Sequence, residues 1–156
     1  MIEELDPAGT AAVVAVQRLQ AAYGDAVTAR DWVRIRSLFE PDAQVHIDTR
    51  AREPFTLDGP DEVAAFIESA LEDFTFFEFT ILNAVVEVAG DTATGRMYIT
   101  ELRIDRTDEW TQAFGLYQDR YVRRDGWWRI AGRQYTSLAR TGPSGVRGFP
   151  VPPFAT

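Results

Sequence analysis

The Asp-Gly step at residues 125–126, set between two long alternating runs, constrains this chain more than any other feature. A two-residue type I′ turn needs positive φ at both central positions, and Asp-Gly accepts it. The stretch GLYQDRYVRRDGWWRIAGRQYTSL, residues 115–138, therefore reads as a long hairpin. A regular register pairs Arg124 with Trp127, Tyr121 with Ile130, Asp119 with Gly132 and Tyr117 with Gln134. Side chains alternate in a strand. One face then carries Trp128, Tyr121, Ile130, Asp119, Tyr117 and Gln134. The other carries Gln118, Arg120, Val122, Arg129, Ala131 and Arg133. The first face begins apolar and ends in hydroxyl, carboxylate and amide groups, the make-up of a ligand pocket.

The remaining chain supplies layers for this hairpin to pack on. Residues 10–30 carry Val13, Val16, Leu19, Gln20, Tyr23 and Val27 near helical spacing. Asp31 caps a second, shorter helix with Val33, Leu38 and Phe39 as its apolar contacts, ended by Pro41. AQVHIDT reads as a strand, with Val45, Ile47 and Thr49 on one face and His46 and Asp48 on the other. Asp58-Gly59-Pro60 opens a third helix whose apolar face holds Val63, Phe66, Ile67, Ala70 and Leu71. From Phe74 onward strand follows strand. If Glu78 faces inward, Thr80, Leu82 and Ala84 share its face, opposite Met97, Ile99, Glu101 and Arg103. Helices first and a meander after is an α+β pattern. The sheet is expected to curl round the three helices as a cone-shaped α+β barrel, mixed but mostly antiparallel, over residues 1–140. A Gly/Pro-rich tail follows, residues 141–156.

Composition narrows the chemistry. With no cysteine and the single His46, neither a disulfide framework nor a Cys- or His-built metal site is expected. A net charge of −8 weighs against nucleic acid as a partner. All sixteen basic residues are arginine, read as the codon bias of a GC-rich genome. No apolar run reaches transmembrane length and the N-terminus is acidic, so a cytoplasmic protein without membrane association is expected.

Several stretches together resemble the nuclear transport factor 2-like superfamily, in particular its polyketide cyclase (SnoaL-like) and dehydratase members. They are AAYGDAVTARDWVRIRSLFEPDAQV, GPDEVAAFIESAL, LNAVVEVAGDTATGRMYI and YQDRYVRRDGWWRIAGR. The resemblance runs from Val13 to Arg140. It implies a bacterial protein with an apolar pocket and a homodimer through the outer sheet face, and no cofactor. The positions where scytalone dehydratase-like members place an acidic residue, a tyrosine, two histidines and an asparagine hold Thr28, Thr49, Glu78, Arg103 and Tyr117. That dehydratase constellation is largely absent. Ketosteroid isomerase-like members match better: their oxyanion tyrosine falls on Tyr23, their second donor on Tyr117, and their base at Ile47, or at Asp48 with a one-residue slip.

The function expected is a metal-free acid–base isomerase, cyclase or dehydratase acting on a hydrophobic, polyketide- or steroid-like molecule. Tyr23 and Tyr117 are the oxygen donors, and one of Asp48, Glu78, Glu101 or Asp119 is the proton acceptor. Ile47, Phe66, Leu82, Met97, Ile99 and Gln134 are the substrate-lining set. The plainer reading beside it makes Tyr23 a core tyrosine, and the carboxylates members of buried Glu101–Arg103 or Asp119–Arg pairs. The competing functions are a noncatalytic ligand-binding or dimerisation module, and the small subunit of a ring-hydroxylating dioxygenase.

Overall fold

A computed structural model describes residues 5–142 and 145–154. Of the three helices, α1 (Pro7–Ala29) and α2 (Trp32–Ser37) open the chain, and α3 (Gly59–Leu71) follows the first two strands, so the helices do not all come before the sheet as the helices-first pattern implies. The strands are β1 (Phe39–Asp48), β2 (Phe55–Asp58), β3 (Phe74–Ala89), β4 (Thr92–Asp105), β5 (Trp110–Arg124), β6 (Trp127–Gly142) and β7 (Gly145–Gly148). They form one mixed sheet in the order β2-β1-β6-β5-β4-β3, with β7 added to β6. β1 runs parallel to β6 and every other pairing is antiparallel. The sheet curls over α1 and α3 but stays open, because β2 and β3 lie at opposite ends of the order.

Local chemistry accounts for most element ends. The Asp6 carboxylate accepts from the Gly9 amide and caps α1, so the helix starts at Pro7, earlier than its apolar stripe. Asp31 caps α2 through the Arg34 amide. Arg30 between the two helices is left-handed at φ 57°, and its amide closes the α1 terminus. The residue that α2 buries is Ile35, fully enclosed, whereas Val33 is 78% exposed. At the hairpin tip, Asp125 and Gly126 have φ of 52° and 80°, as the type I′ turn requires.

The hairpin register departs from regularity at two points, and both change the site. Tyr121 pairs with Ile130, but the next residue back, Arg120, pairs with Gly132. Ala131 is an extra residue, a β-bulge, which increases local twist and reverses the face of residues 132–137 on β6; a second extra residue, Leu138, between Ser137 and Ala139, reverses it again and brings Arg140 to the cavity. Asp119 therefore pairs with Arg133, and Tyr117 with Tyr135. Arg133 and Tyr135 turn into the core, and Gln134 turns out. The regular register places Gln134 inside and Arg133 outside; both are corrected here.

A similar correction applies to β3. Phe77 and Phe79 are buried, which puts Glu78 between them on the exposed side. Leu82 is the extra residue of a β3 irregularity, between Ile81 and Asn83, and is 56% exposed. Two phenylalanines bury far more apolar area than one carboxylate and one threonine, so burial selects the Phe77/Phe79 face.

The tail packs back on the sheet. β6 continues to Gly142 and β7 pairs back on it. Further on, Phe154 lies under the Arg96 guanidinium, 4.0 Å from ring centroid to carbon, on the outer sheet face.

Candidate active site

A cavity of about 170 Å³ lies between the inner sheet face, α1 and α3. Apolar side chains form most of its wall, among them Val27, Ile47, Val63, Phe66, Phe77 and Phe79. Its polar lining is Tyr23, Tyr117, Tyr135, Glu101, Arg103, Arg133 and Arg140, with Thr49. A mostly apolar hollow with a few convergent polar groups is the usual form of a small-molecule site.

One polar cluster is built by α1, β5 and β6. The Arg133 guanidinium packs 4.1 Å from the ring centroids of both Tyr23 and Tyr117. Those two rings meet edge to face at 6.0 Å. Arg133 donates from Nε and Nη2 to the two oxygens of Asp119, each at 2.7 Å. The Tyr121 hydroxyl donates to Asp119 Oδ2 at 2.7 Å, and Gln20 Nε2 donates to that hydroxyl at 2.9 Å. Asp119 thus has both oxygens occupied, and its role is to hold Arg133. The remaining nitrogen, Arg133 Nη1, is buried without a hydrogen-bond partner. An unpaired buried donor is costly, and the charge of this guanidinium is met by the two tyrosine rings it stacks on.

The phenols here are donors. Burial raises the Tyr23 pKa, against the opposing Arg133 cation and a hydrogen bond from Tyr117. Burial, reinforced by Tyr23, pushes Tyr117 well up. Burial and the nearby Glu101 raise Tyr135. All three keep their protons at neutral pH and can polarise a ligand oxygen.

The second polar cluster lies on β4 and β6. Glu101 pairs across the sheet with Ala113, and Ala113 with Arg140. Arg103 follows Glu101 on the same face, and its Nη1 stands 3.6 Å from Glu101 Oε2. Burial raises the Glu101 pKa, with Arg103 and Arg140 opposing. Gly115 stands one step along β5. Its missing Cβ is filled by the Tyr135 ring, which only glycine permits.

Of the four carboxylates expected as proton acceptor, Glu101 lines the cavity and the other three do not. Asp48 accepts from the Arg50 amide at 2.9 Å and pairs with its side chain. Glu78 is exposed. Asp119 is held by Arg133. Tyr23, Tyr117, Ile47 and Phe66 line the cavity as expected. Met97 and Ile99 face inward but are core, fully buried outside its wall. Thr28, at the position where dehydratase-like relatives carry an acid, accepts from the Phe79 amide at 3.0 Å and ties α1 to β3. Arg133, Tyr135 and Arg140 were not anticipated as site residues. For Arg133 and Tyr135 the small Ala131-Gly132 pair was the available signal, since such pairs accommodate bulges; Arg140 depends on the second irregularity, at Leu138, which carries no such signal.

The raised Glu101 pKa has a measurable consequence. A carboxyl with a raised folded-state pKa binds a proton that the unfolded chain has released. Its contribution to stability is complete below the ordinary value of 4.5 and is lost as pH rises through the folded value. Glu101→Gln removes that titration. The stability of Glu101→Gln relative to wild type is expected to climb as pH goes from about 4 to 8, read from urea midpoints. A difference that stays flat across that range would mean that Glu101 is not desolvated.

Among the described residues, no cluster of histidine and acidic side chains could hold a metal ion, and no helix is long and apolar enough to cross a membrane. The SnoaL-like domain model matches residues 9–134. No curated protein matches the sequence. Solved structures do. LinA is 23% identical over 92% of this chain and 96% of its own, with a TM-score of 0.76. The hexachlorocyclohexane dehydrochlorinase LinA-type3 from Novosphingobium barchaimii LL02 is 22% identical over 92% and 97%, at 0.74. A candidate scytalone dehydratase from Novosphingobium aromaticivorans DSM 12444 is 19% identical over 85% and 87%, at 0.75. Identities this low speak for the shared fold.

Proposed function

This chain belongs to the SnoaL-like domain family, and we propose that it is an acid–base enzyme that moves a proton on an apolar small molecule, in an isomerisation, cyclisation or elimination. The observation that carries this reading is the composition of the cavity wall: the carboxylate Glu101 stands in the same hollow as the protonated phenols Tyr23 and Tyr117. A carboxyl with a raised pKa is a stronger base once ionised and a usable acid when protonated. Phenols that keep their protons stabilise negative charge developing on a carbonyl or enolate oxygen. The Arg133 guanidinium, stacked on both rings, adds positive charge at the phenol end. The dehydrochlorinase and dehydratase relatives of this fold carry names that also describe proton removal coupled to loss of a leaving group.

The open hollow supports this reading over a scaffold with a filled cone. Met97 lies in the core and Leu82 faces solvent, so neither plugs the cavity. Its volume, about 170 Å³, is close to the ~150 Å³ that accommodates benzene and below the ~300–1,000 Å³ of drug-sized sites. A single ring fits it better than a fused polyketide or steroid skeleton.

The direct test is exchange of acidic C–H hydrogens for deuterium. Monocyclic ketones are incubated with the protein in deuterium oxide and followed by proton nuclear magnetic resonance. Wild type is expected to catalyse exchange at carbon next to the carbonyl, and Glu101→Gln to lose it by about 10²–10⁴-fold, the usual worth of a positioned acid or base. Equal rates in the two proteins would remove Glu101 from the mechanism.

A further inference from the structure

The charges in the cavity wall do not balance among the described residues, and the imbalance is local. Arg133 is neutralised by the bidentate Asp119. That leaves Arg103 and Arg140 facing one carboxylate, Glu101. The Arg103–Glu101 contact of 3.6 Å is too long for a hydrogen bond, and Arg103 Nε is buried with no hydrogen-bond partner. Arg140 donates from Nε to Ser137 Oγ at 3.2 Å, and no carboxylate among the described residues pairs with it. Two partly buried guanidinium groups on the cavity wall thus keep donors without a carboxylate within hydrogen-bond reach. Partly buried charge of this kind gains from a counter-ion in the cavity.

The backbone shows where a pairing group would sit. Glu101, Ala113 and Arg140 form one row across β4, β5 and β6. The outer two are two strand spacings apart, roughly 10 Å at the backbone. Ala113, the middle residue, lines the cavity and rises only a methyl group above the sheet. That gap is bounded by Glu101 on one side and Arg140 on the other, with Arg103 two residues along β4 on the face of Glu101; a planar carboxylate turned toward the two guanidinium groups fits it, since it accepts from arginine in a bidentate fork. One negative charge balances the set of Arg103, Arg140 and Glu101; a phosphate monoester at −1.5 to −2 would overshoot it.

We propose that the ligand is a monocyclic apolar carboxylic acid, bound as its anion with the carboxylate between Arg103 and Arg140 above Ala113 and the ring in the apolar body of the cavity. This rests on the reading of the cavity as a substrate site. It adds a specificity device: the two arginines select for charge, and the cavity volume selects for one ring. It also separates duties within the cavity. Arg133 and the phenols face the reacting oxygen, while Arg103 and Arg140 anchor the remote end of the molecule, where binding energy orients the reacting centre.

Calorimetric titration with benzoate and cyclohexanecarboxylate, against benzamide and cyclohexanecarboxamide, tests it at neutral pH and low salt. Each acid is expected to bind at least about tenfold more tightly than its amide. Arg140→Gln is expected to bring that ratio close to one, and Arg140→Lys, which keeps the charge but not the fork, to retain part of it. The ratio is internal to each protein, so a loosened fold does not imitate the effect. An acid-to-amide ratio near one in wild type, or a full ratio kept in Arg140→Gln, overturns the carboxylate assignment and leaves the cavity as a site. If neither acids nor amides bind, the assignment fails together with the reading of the cavity as a substrate site.

Discussion

Asp119→Ala is expected to destabilise the fold by about 3–5 kcal/mol, the typical result of removing one partner of a buried ion pair. The side chains of Asp119 and Arg133 are 0% and 1% exposed. The alanine variant would leave Arg133 with its charge between two tyrosine rings and no counter-ion. It would also free the Tyr121 hydroxyl, which now donates to Asp119, and break the chain that reaches Gln20 on α1. For a domain of this size the loss corresponds to a fall in melting temperature of roughly 6–20 °C. The double variant Asp119→Ala/Arg133→Met removes the stranded charge and is expected to recover a large part of that loss, because apolar replacement of a buried pair is often neutral. Urea unfolding of the single and double variants closes the cycle. A single-variant loss under about 1 kcal/mol would show the pair to be hydrated and incidental.

Tyr117→Phe is expected to lower the rate of the proposed proton transfer by about 10²–10³-fold, the cost of deleting one preorganised donor to a developing oxyanion. The ring itself stays, so its contacts with Tyr23, Phe79 and Tyr135 at 6.0, 6.0 and 5.1 Å persist. Tyr121→Phe is the matched control. It also deletes a buried hydroxyl, but Tyr121 belongs to the Asp119 network and lies outside the cavity wall. It is expected to cost about 1 kcal/mol of stability with little change in rate. Comparing kcat/KM and unfolding midpoints for the two variants separates the roles. Equal rate losses would mean that both act by loosening Arg133, and Tyr117 would then not be a donor.

The two polar clusters differ in how far the sequence revealed them. Glu101 next to Arg103 on an otherwise apolar face was legible from alternation alone, since Met97 and Ile99 fix which side of β4 is buried. Tyr23 and Tyr117 were legible from a helical stripe and a strand alternation, supported by family resemblance. Arg133 and Tyr135 were not, because a single extra residue, Ala131, inverts the parity of β6. Glu78 failed for a related reason: four aromatic residues surround it, and the strand buries whichever alternate pair fills the cone.

What the sequence determined by itself is local. The Asp-Gly turn, the Asp6 and Asp31 caps, the Gly59-Pro60 helix start and the period-2 runs each depend on groups a few residues apart, so the order of elements and the α+β class follow from the chain. The opening hairpin is where this limit is clearest. Its turn and first four pairs could be written down from residues 121–130. Which side chains entered the cavity beyond Ala131 could not, because that choice lies in contacts with α1 and β1. Tyr23 and Gln20 on α1, and Phe39 on β1, complete the shell that makes an inward Arg133 stable beside Asp119. A bulge costs one unpaired residue locally and is repaid by ion-pair and ring contacts from elements about a hundred residues away in the chain. Only the folded arrangement brings those groups together, and it was the tertiary structure that decided the charge pattern of the site.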